Sequence, residues 1–329
     1  MPPIREPTIF ESPGTEPDVR IVVFDREFHV HSAILRHDSG FFRENLVSSN
    51  ASGTTASHIC YEYVSVVDDE GAWRLEQGKE MSTTEAKELK NGLSKPAEEA
   101  AFEKLLCAMY DTPYPVKSLQ ELSDISRLAH LYQTISIVSL SLNSAKYSSP
   151  RFPREINLNP LEALILAREL RQPFLFREAL VYAVSRWADC RFDRKVLDAH
   201  PDLKTIVESE YSKISMQIAI VLYITFASVS RKDRIFLFVT DELKSSVSLD
   251  PGLPPTRGAK YFRALYERLA SWDQDSCSSV KEILQELLKI NITLVDHNYT
   301  VAESDKFLCA QIEDGELPWD LAMDDRSSD

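Results

Sequence analysis

Every segment with the signature of a β-strand lies in the first quarter of this 329-residue chain, and beyond it apolar residues recur at helical spacing. That segregation predicts an α+β fold, a small sheet with helices followed by a mainly α-helical domain. The first strand is Ile21-Val22-Val23-Phe24, β-branched and bounded by Asp25-Arg26 as a turn. Glu27 to His31 then alternates, with Phe28 and Val30 on one face, so the two segments read as a hairpin. Ser32 is placed to cap a short helix carrying Ala33, Ile34 and Leu35, and Ser39 to start another with Phe41, Phe42 and Leu46. Tyr61 to Val67 and Trp73 to Leu75 flank the acidic turn Asp68-Asp69-Glu70-Gly71, a second hairpin.

Helical spacing returns at Phe102, Leu105, Leu106 and Met109 and breaks at Pro113 and Pro115. It resumes over Leu119–Tyr132 and again from about Ile135 to Tyr147. Past the polar, proline-bearing stretch Ser148–Pro153 the chain reads as helices almost throughout. Pro173 opens a helix ending near Trp187, and Pro201 opens a long one reaching about Val229. Within the latter, Ile214–Val229 falls short of the ~20 residues that span a bilayer, which predicts a buried core helix and no membrane partner.

Charge narrows the partners. A formal net charge of −14 argues against bulk binding to nucleic acid or anionic membrane, where Lys and Arg must neutralise phosphate, and favours partners with a basic patch. No zinc-finger spacing or basic region is present, so no direct nucleic-acid contact is expected. Nine glycines leave little material for phosphate loops. Five scattered cysteines, odd in number and without a CxxC pair, fit a reducing compartment, cytoplasmic or nuclear. The triplets at Asn50, Asn291 and Asn298 match the glycosylation pattern but are short enough to arise by chance.

No catalytic, cofactor or metal site is expected. His29, His31 and His37 are close in sequence, but His37 falls in a helix and no Cys lies near to complete a ligand set. Cys107 and Cys190 read as core residues rather than nucleophiles, and no Gly-x-Ser-x-Gly elbow exists. Asp68-Asp69-Glu70 lacks the pattern of a calcium loop.

Pro17-Asp18-Val19-Arg20-Ile21-Val22-Val23, then Phe28-His29-Val30-His31-Ser32-Ala33-Ile34-Leu35, then Ser39-Gly40-Phe41-Phe42, resembles the BTB/POZ signature. That signature is an Asp-Val strand, a Phe-x-x-His hairpin end, an aliphatic helix and Ser-x-x-Phe. Phe102–Tyr110 and Leu119–Tyr132 look like the helices that follow it in the family. The resemblance implies a BTB/POZ-like domain over 17–149, preceded by a flexible leader at 1–16, with order beginning at Asp18. The stretch Val47–Pro96 exceeds the family's usual connection, and the Trp73 hairpin looks like the insertions of fungal-type members. A helical domain over 150–310 and an acidic tail over 311–329 complete the expected layout.

As implied by the resemblance, Asp18, Phe28, His31 and Phe42 are structural, His31 bonding to backbone. Several dimeric members have a basic residue after that histidine, paired with the aspartate matched by Asp18; Ser32 cannot supply the charge. Phe41, Arg43, Glu44, Tyr63 and Trp73 are candidate partner-surface residues, the last two as a cross-strand pair or an aromatic arm. The expected function is a non-enzymatic scaffold that forms a homodimer and binds other proteins, a cullin-type ubiquitin ligase among them. The alternatives are a transcriptional co-regulator recruited through protein partners, or an enzyme whose site lies unrecognised in the C-terminal half.

Overall fold

The computed structural model describes residues 6–46, 58–78, 88–90, 92–143, 151–189, 192–228, 258–270, 278–294 and 306–320. It divides into two compact units, Met1–Ser149 and Pro150–Asp329. The class is α+β: a five-stranded sheet near the N-terminus and mostly helices after it.

In the first unit the strands are β1 (Thr8–Ile9), β2 (Val19–Val23), β3 (Arg26–Val30), β4 (Tyr61–Val67) and β5 (Trp73–Gln77). Their order across the sheet is β1-β3-β2-β4-β5. β2 and β3 form the expected hairpin, Ile21 opposite Phe28. Val19, Ile21, Val23, Phe28 and Val30 are all fully buried, the period-2 face of both strands. The turn is Phe24-Asp25 rather than Asp25-Arg26. Phe24 sits at φ 49, a left-handed conformation unusual for a bulky residue. Three contacts hold it there: its N–H donates to Ser65 Oγ at 2.8 Å, the Asp25 N–H to Glu99 Oε1 at 2.9 Å, and its ring lies 5.3 Å from that of Trp73.

Two expectations for this unit are corrected. The leader does not run to residue 16: Thr8 and Ile9 pair in parallel with Phe28 and His29, and Phe10 is buried 4.8 Å from the Tyr110 ring. An apolar triplet beside an open sheet edge suffices to order it; residues 1–5 lie outside the described set. Nor is the β4–β5 hairpin an appendage. β4 pairs in parallel with β2, Ile21 opposite Tyr63, so the supposed insertion supplies two of the five strands. Its turn is held by Asp68 Oδ1, which accepts from Glu70 and Ala72 N–H, each 2.9 Å. Gly71 at φ 78 is required there, since a Cβ would lie 2.6 Å from the Lys90 nitrogen. The polar stretch Gln77–Lys95 reads from sequence as a linker, and of it residues 79–87 and 91 lie outside the described residues.

The helices of this unit are α1 (Ser32–Asp38), α2 (Gly40–Asn45), α3 (Lys95–Met109), α4 (Leu119–Leu131) and α5 (Ile135–Leu142). Ser39, Ser94 and Ser118 cap α2, α3 and α4 through their hydroxyls. α2 starts hard against the end of α4. Ser39 Oγ donates to the Tyr132 carbonyl at 2.7 Å, and a Cβ on Gly40 would meet Gln133 Cβ at 3.0 Å.

The second unit contains α6 (Phe152–Leu158), α7 (Pro160–Glu169), α8 (Pro173–Arg186), α9 (Pro201–Ser228), α10 (Gly258–Ala270) and α11 (Ser278–Leu287). Proline stands at the first position of α7, α8 and α9, for the last two as the sequence reading has it. Ten of the 14 residues of α8 are buried, which makes it the axis of this unit. Its buried Glu178 accepts three hydrogen bonds from one loop: Thr293 N–H and hydroxyl at 2.9 and 3.0 Å, and Leu294 N–H at 3.1 Å. No described helix is long and apolar enough to cross a membrane. The apolar half of α9 is not a buried core helix, however: Met216 and Tyr223 are 67% and 74% exposed, because only one stripe of it, with Ile214 and Val221, faces inward. Nor is the whole of 311–329 a solvated tail. Ile312 and Leu317 are buried, and the acidic average of the segment concealed their spacing. Residues 321–329 lie outside the described set.

Candidate interaction site

Of the residues singled out in the first unit, Asp18, His31 and Ser32 meet at one corner, where β2 begins and α1 starts. Ser32 was expected to cap α1, but the N-cap position is His31, which makes no side-chain cap, and Ser32 is the first helical residue. Asp18 supplies the cap from 14 residues away. One carboxylate oxygen accepts from the Ser32 N–H at 2.7 Å and the other from the Ser32 hydroxyl at 2.6 Å. An anion at the positive end of a helix is stabilised by the peptide dipoles as well as by both bonds. Both carboxylate oxygens are thus taken up without a basic residue at position 32.

His31 is buried beside them. Its backbone N–H donates to the Tyr110 hydroxyl at 2.7 Å, and its Nδ1 lies 2.9 Å from the same oxygen. The Tyr110 proton is then directed to Nδ1, which leaves Nε2–H to donate to the Thr15 carbonyl at 3.3 Å. Burial pushes the Tyr110 phenol up to about 12, so it keeps the proton this arrangement needs. The backbone of Asp18 is pinned too: its N–H donates to Val30, and its carbonyl accepts from Cys60 and Tyr61. The corner is therefore a structural clasp joining β2, β3, α1 and the end of α3.

Behind the clasp lies an aromatic cluster. Phe42 is fully buried, stacked on Tyr132 with centroids 5.9 Å apart and edge-on to Tyr63 at 5.6 Å. Phe28 meets Phe102 at 5.8 Å, and Trp73 meets Phe102 at 6.2 Å. Tyr63 and Trp73 are 2% and 3% exposed, so neither belongs to a partner surface or an aromatic arm. They are not a cross-strand pair either, because Tyr63 faces Gln77 and Trp73 faces Val67. The aromatic and β-branched residues flanking an acidic turn look the same in an edge hairpin and a buried one; parallel pairing with β2 decided it.

Trp73 also reveals a group absent from the sequence reading. Its indole N–H donates to Glu98 Oε2 at 2.8 Å, and Arg127 pairs with the same oxygen. Glu98 is fully buried in the first turn of α3, where a Glu among Lys, Pro and Ala looks solvent-facing from sequence.

The remaining candidates stand at the surface. Arg43 and Glu44 are exposed on α2, and Phe41 is half-buried, edge-on to Phe42 and Tyr132 at 5.1 Å each. Arg43 donates to the carbonyls of Arg36 and His37, so its guanidinium closes the C-terminal end of α1. Among the described residues of this unit the exposed large apolar side chains are Ile9, Leu131 and Leu140, 57%, 42% and 49% exposed.

The three histidines do not converge. His29 faces outward, its Nε2 2.7 Å from Glu27 Oε1, while His37 pairs with Asp38. Arg20 also binds Glu27 at 2.9 Å, and these partners, Arg20 first, lower the Glu27 carboxyl to about 2. Among the described residues no group of three His, Cys, Asp or Glu is placed to hold a metal ion. Burial raises the thiols of Cys107 and Cys309 to about 11, whereas Cys60 is exposed. Cys190 lies outside the described residues, as do the triplets at Asn50 and Asn298. At Asn291 the side-chain amide donates to the Cys309 and Ala310 carbonyls at 2.9 and 3.2 Å, so the fold itself uses it. Compared with family models, with curated proteins and with solved structures, the chain matches none.

Proposed function

We propose that the chain is a protein-interaction scaffold of BTB/POZ type, cytoplasmic or nuclear, which self-associates through its first unit and offers its helical unit to other proteins. The observation that carries this reading is the clasp. Asp18 and His31, spaced as in that family's signature, act together where a hairpin, a short helix and a parallel strand join, and Phe42 of the same signature is buried behind them. Such a unit works by contact area rather than by bond-making, which requires apolar side chains left at the surface. Ile9, Leu131 and Leu140, with half-buried Phe41, are side chains of that kind. A cullin-type ubiquitin ligase subunit is the partner class proposed with it.

Light scattering on the full chain at tens of micromolar tests self-association. A dimer has about 75 kDa, twice the 37.4 kDa of one chain. A strict 37 kDa species would refute it, and failure of a purified cullin to be retained on the immobilised protein would remove that partner class.

A further inference from the structure

Residues 307–319 form a strap that runs along α8 in the opposite direction. Phe307 stands near the C-terminal end of that helix, beside Ser185 and Ala188. The Ile312 carbonyl accepts from Arg177 Nε at 3.2 Å, and the Trp319 ring is edge-on to Phe176 at 5.2 Å. Phe307, Leu308, Ile312 and Leu317 are buried. The carboxylates between and beyond them reach cations on two helices, Asp314 to Arg177 on α8 and Glu316 to Lys213 on α9, the latter at 3.7 Å. Regular structure holds little of the strap: one bridge from Leu308 to Ile290 and one 3-10 turn at Asp314–Glu316. Apolar side chains sunk in a groove, carbonyls captured by side chains and charges paired at the rim are the means by which a linear peptide is bound.

Among the described residues the groove is also left partly unfilled. Between α8, α9 and the Phe307 ring lies a cavity of about 310 Å³, walled by Val184, Tyr211, Ile214 and Ile218. The two serines in its wall direct their protons away into helix carbonyls, Ser185 to Tyr182 and Ser215 to Tyr211, each at 2.8 Å. The pocket is partly open, and the apolar part of its wall lacks partner atoms for dispersion contacts. A side chain larger than phenylalanine at the place of Phe307 would recover them.

We propose that the α8–α9 groove is a recognition site for acidic, apolar linear segments of other proteins, and that residues 307–319 are its weaker occupant in cis. The site does not depend on self-association of the first unit. A partner segment must match the strap's order, a large aromatic, then an aliphatic residue followed by two spaced carboxylates, then a second aromatic. Arg177 and Lys213 read the carboxylates, and the cavity rewards the first aromatic. Competition with the cis strap lowers apparent affinity by the fraction of time the groove is vacant.

The probe is a fluorescent peptide with the sequence of residues 306–320 and Cys309→Ser, titrated onto the full-length protein by anisotropy. Trp319→Ala in the protein removes an anchor of the cis strap, so the peptide should bind at least about ten-fold tighter to that variant than to the unaltered chain. Adding Arg177→Ala should weaken the gain by about five-fold, and a peptide carrying Phe307→Trp should bind tighter than the parent. A folded Trp319→Ala protein that takes up neither peptide overturns the proposal. So does one that forms a larger assembly than the unaltered protein, which the peptide does not dissolve, since the occupant is then a second copy. If that variant fails to fold, amide exchange on the unaltered protein decides: strap amides exchanging faster than those of α8 support a displaceable occupant, and equal rates make the strap part of the core and overturn it.

Discussion

If the Asp18 carboxylate is what starts α1, then removing it and removing Ser32 must be coupled, by an amount the geometry fixes. Asp18→Ala deletes two charge-assisted acceptors, those of the Ser32 N–H at 2.7 Å and hydroxyl at 2.6 Å, together with the charge at the helix start. Hydrogen bonds to a charged group contribute roughly 1.5 kcal/mol or more each, and the one from the Ser32 N–H is itself the helix cap, so about 3 kcal/mol is expected in total. Ser32→Ala removes only the hydroxyl bond and should cost about 1–1.5 kcal/mol. In the double variant the hydroxyl has no partner left to lose, so its cost should equal that of Asp18→Ala alone, a coupling of about 1–1.5 kcal/mol. Asp18→Asn, which keeps one acceptor, should fall between. Because two units need not unfold together, the readout is hydrogen exchange on peptides within residues 19–46, where 3 kcal/mol is about a 150-fold acceleration. Additive single effects, or a Ser32→Ala cost as large as that of Asp18→Ala, would show that the clasp is not built as described.

Phe42→Ala should destabilise the first unit by about 3–5 kcal/mol, since a fully buried ring touching Phe41, Tyr63 and Tyr132 would leave a cavity that neighbouring aromatics cannot close; urea unfolding followed by the same exchange peptides checks it. The Glu27 carboxyl, depressed to about 2 from its ordinary 4.5, contributes stability that is complete above pH 4.5 and lost as pH falls towards 2. Glu27→Gln should therefore be less stable at neutral pH and show a flatter acid limb between those values, and parallel acid limbs would refute the pairing with Arg20 and His29. Alkylation at pH 8 with peptide mapping should modify Cys60 well before Cys107 and Cys309, whose buried thiols sit at about 11; equal rates would contradict their burial.

The parts of the fold that sequence revealed are those fixed by local spacing. Phe28 and Val30 share a face because two residues apart in a strand they must, and Ser39 caps α2 because its hydroxyl reaches the amide three residues on. What escaped was fixed by distant partners. Thr8 and Ile9 form a strand only because β3 offers them an edge, and Tyr63 is buried only because β4 lies beside β2. The Asp18 cap spans 14 residues, and nothing in Ser32 itself tells a cap from a first helical residue. The strap was hidden for a different reason: the carboxylates after Ala310 dominate the composition there and mask Ile312, Leu317 and Trp319.

The acidity of the chain acquires a structural meaning from these sites. A protein with nine glycines has few residues that enter tight turns without strain, and among the described residues four that are not glycine, Phe24, Asp111, Gln133 and Arg171, adopt positive φ. At Asp111, Gln133 and Arg171 the amides go to carbonyls of the helix just ended, but other loops and helix starts leave backbone N–H groups without helix or sheet partners, and an unpaired buried donor costs about 1–3 kcal/mol. Carboxylates take up several of them. Glu99 holds the Asp25 amide beside Phe24, Asp68 the amides of Glu70 and Ala72, Asp18 that of Ser32, Glu121 that of Lys117 and Glu178 those of Thr293 and Leu294. Part of the formal charge of −14 is thus spent inside the fold on its own loops. The charge available to select a basic partner is the smaller remainder, and a surface-directed role for the acidity should be sought among carboxylates that hold no amide.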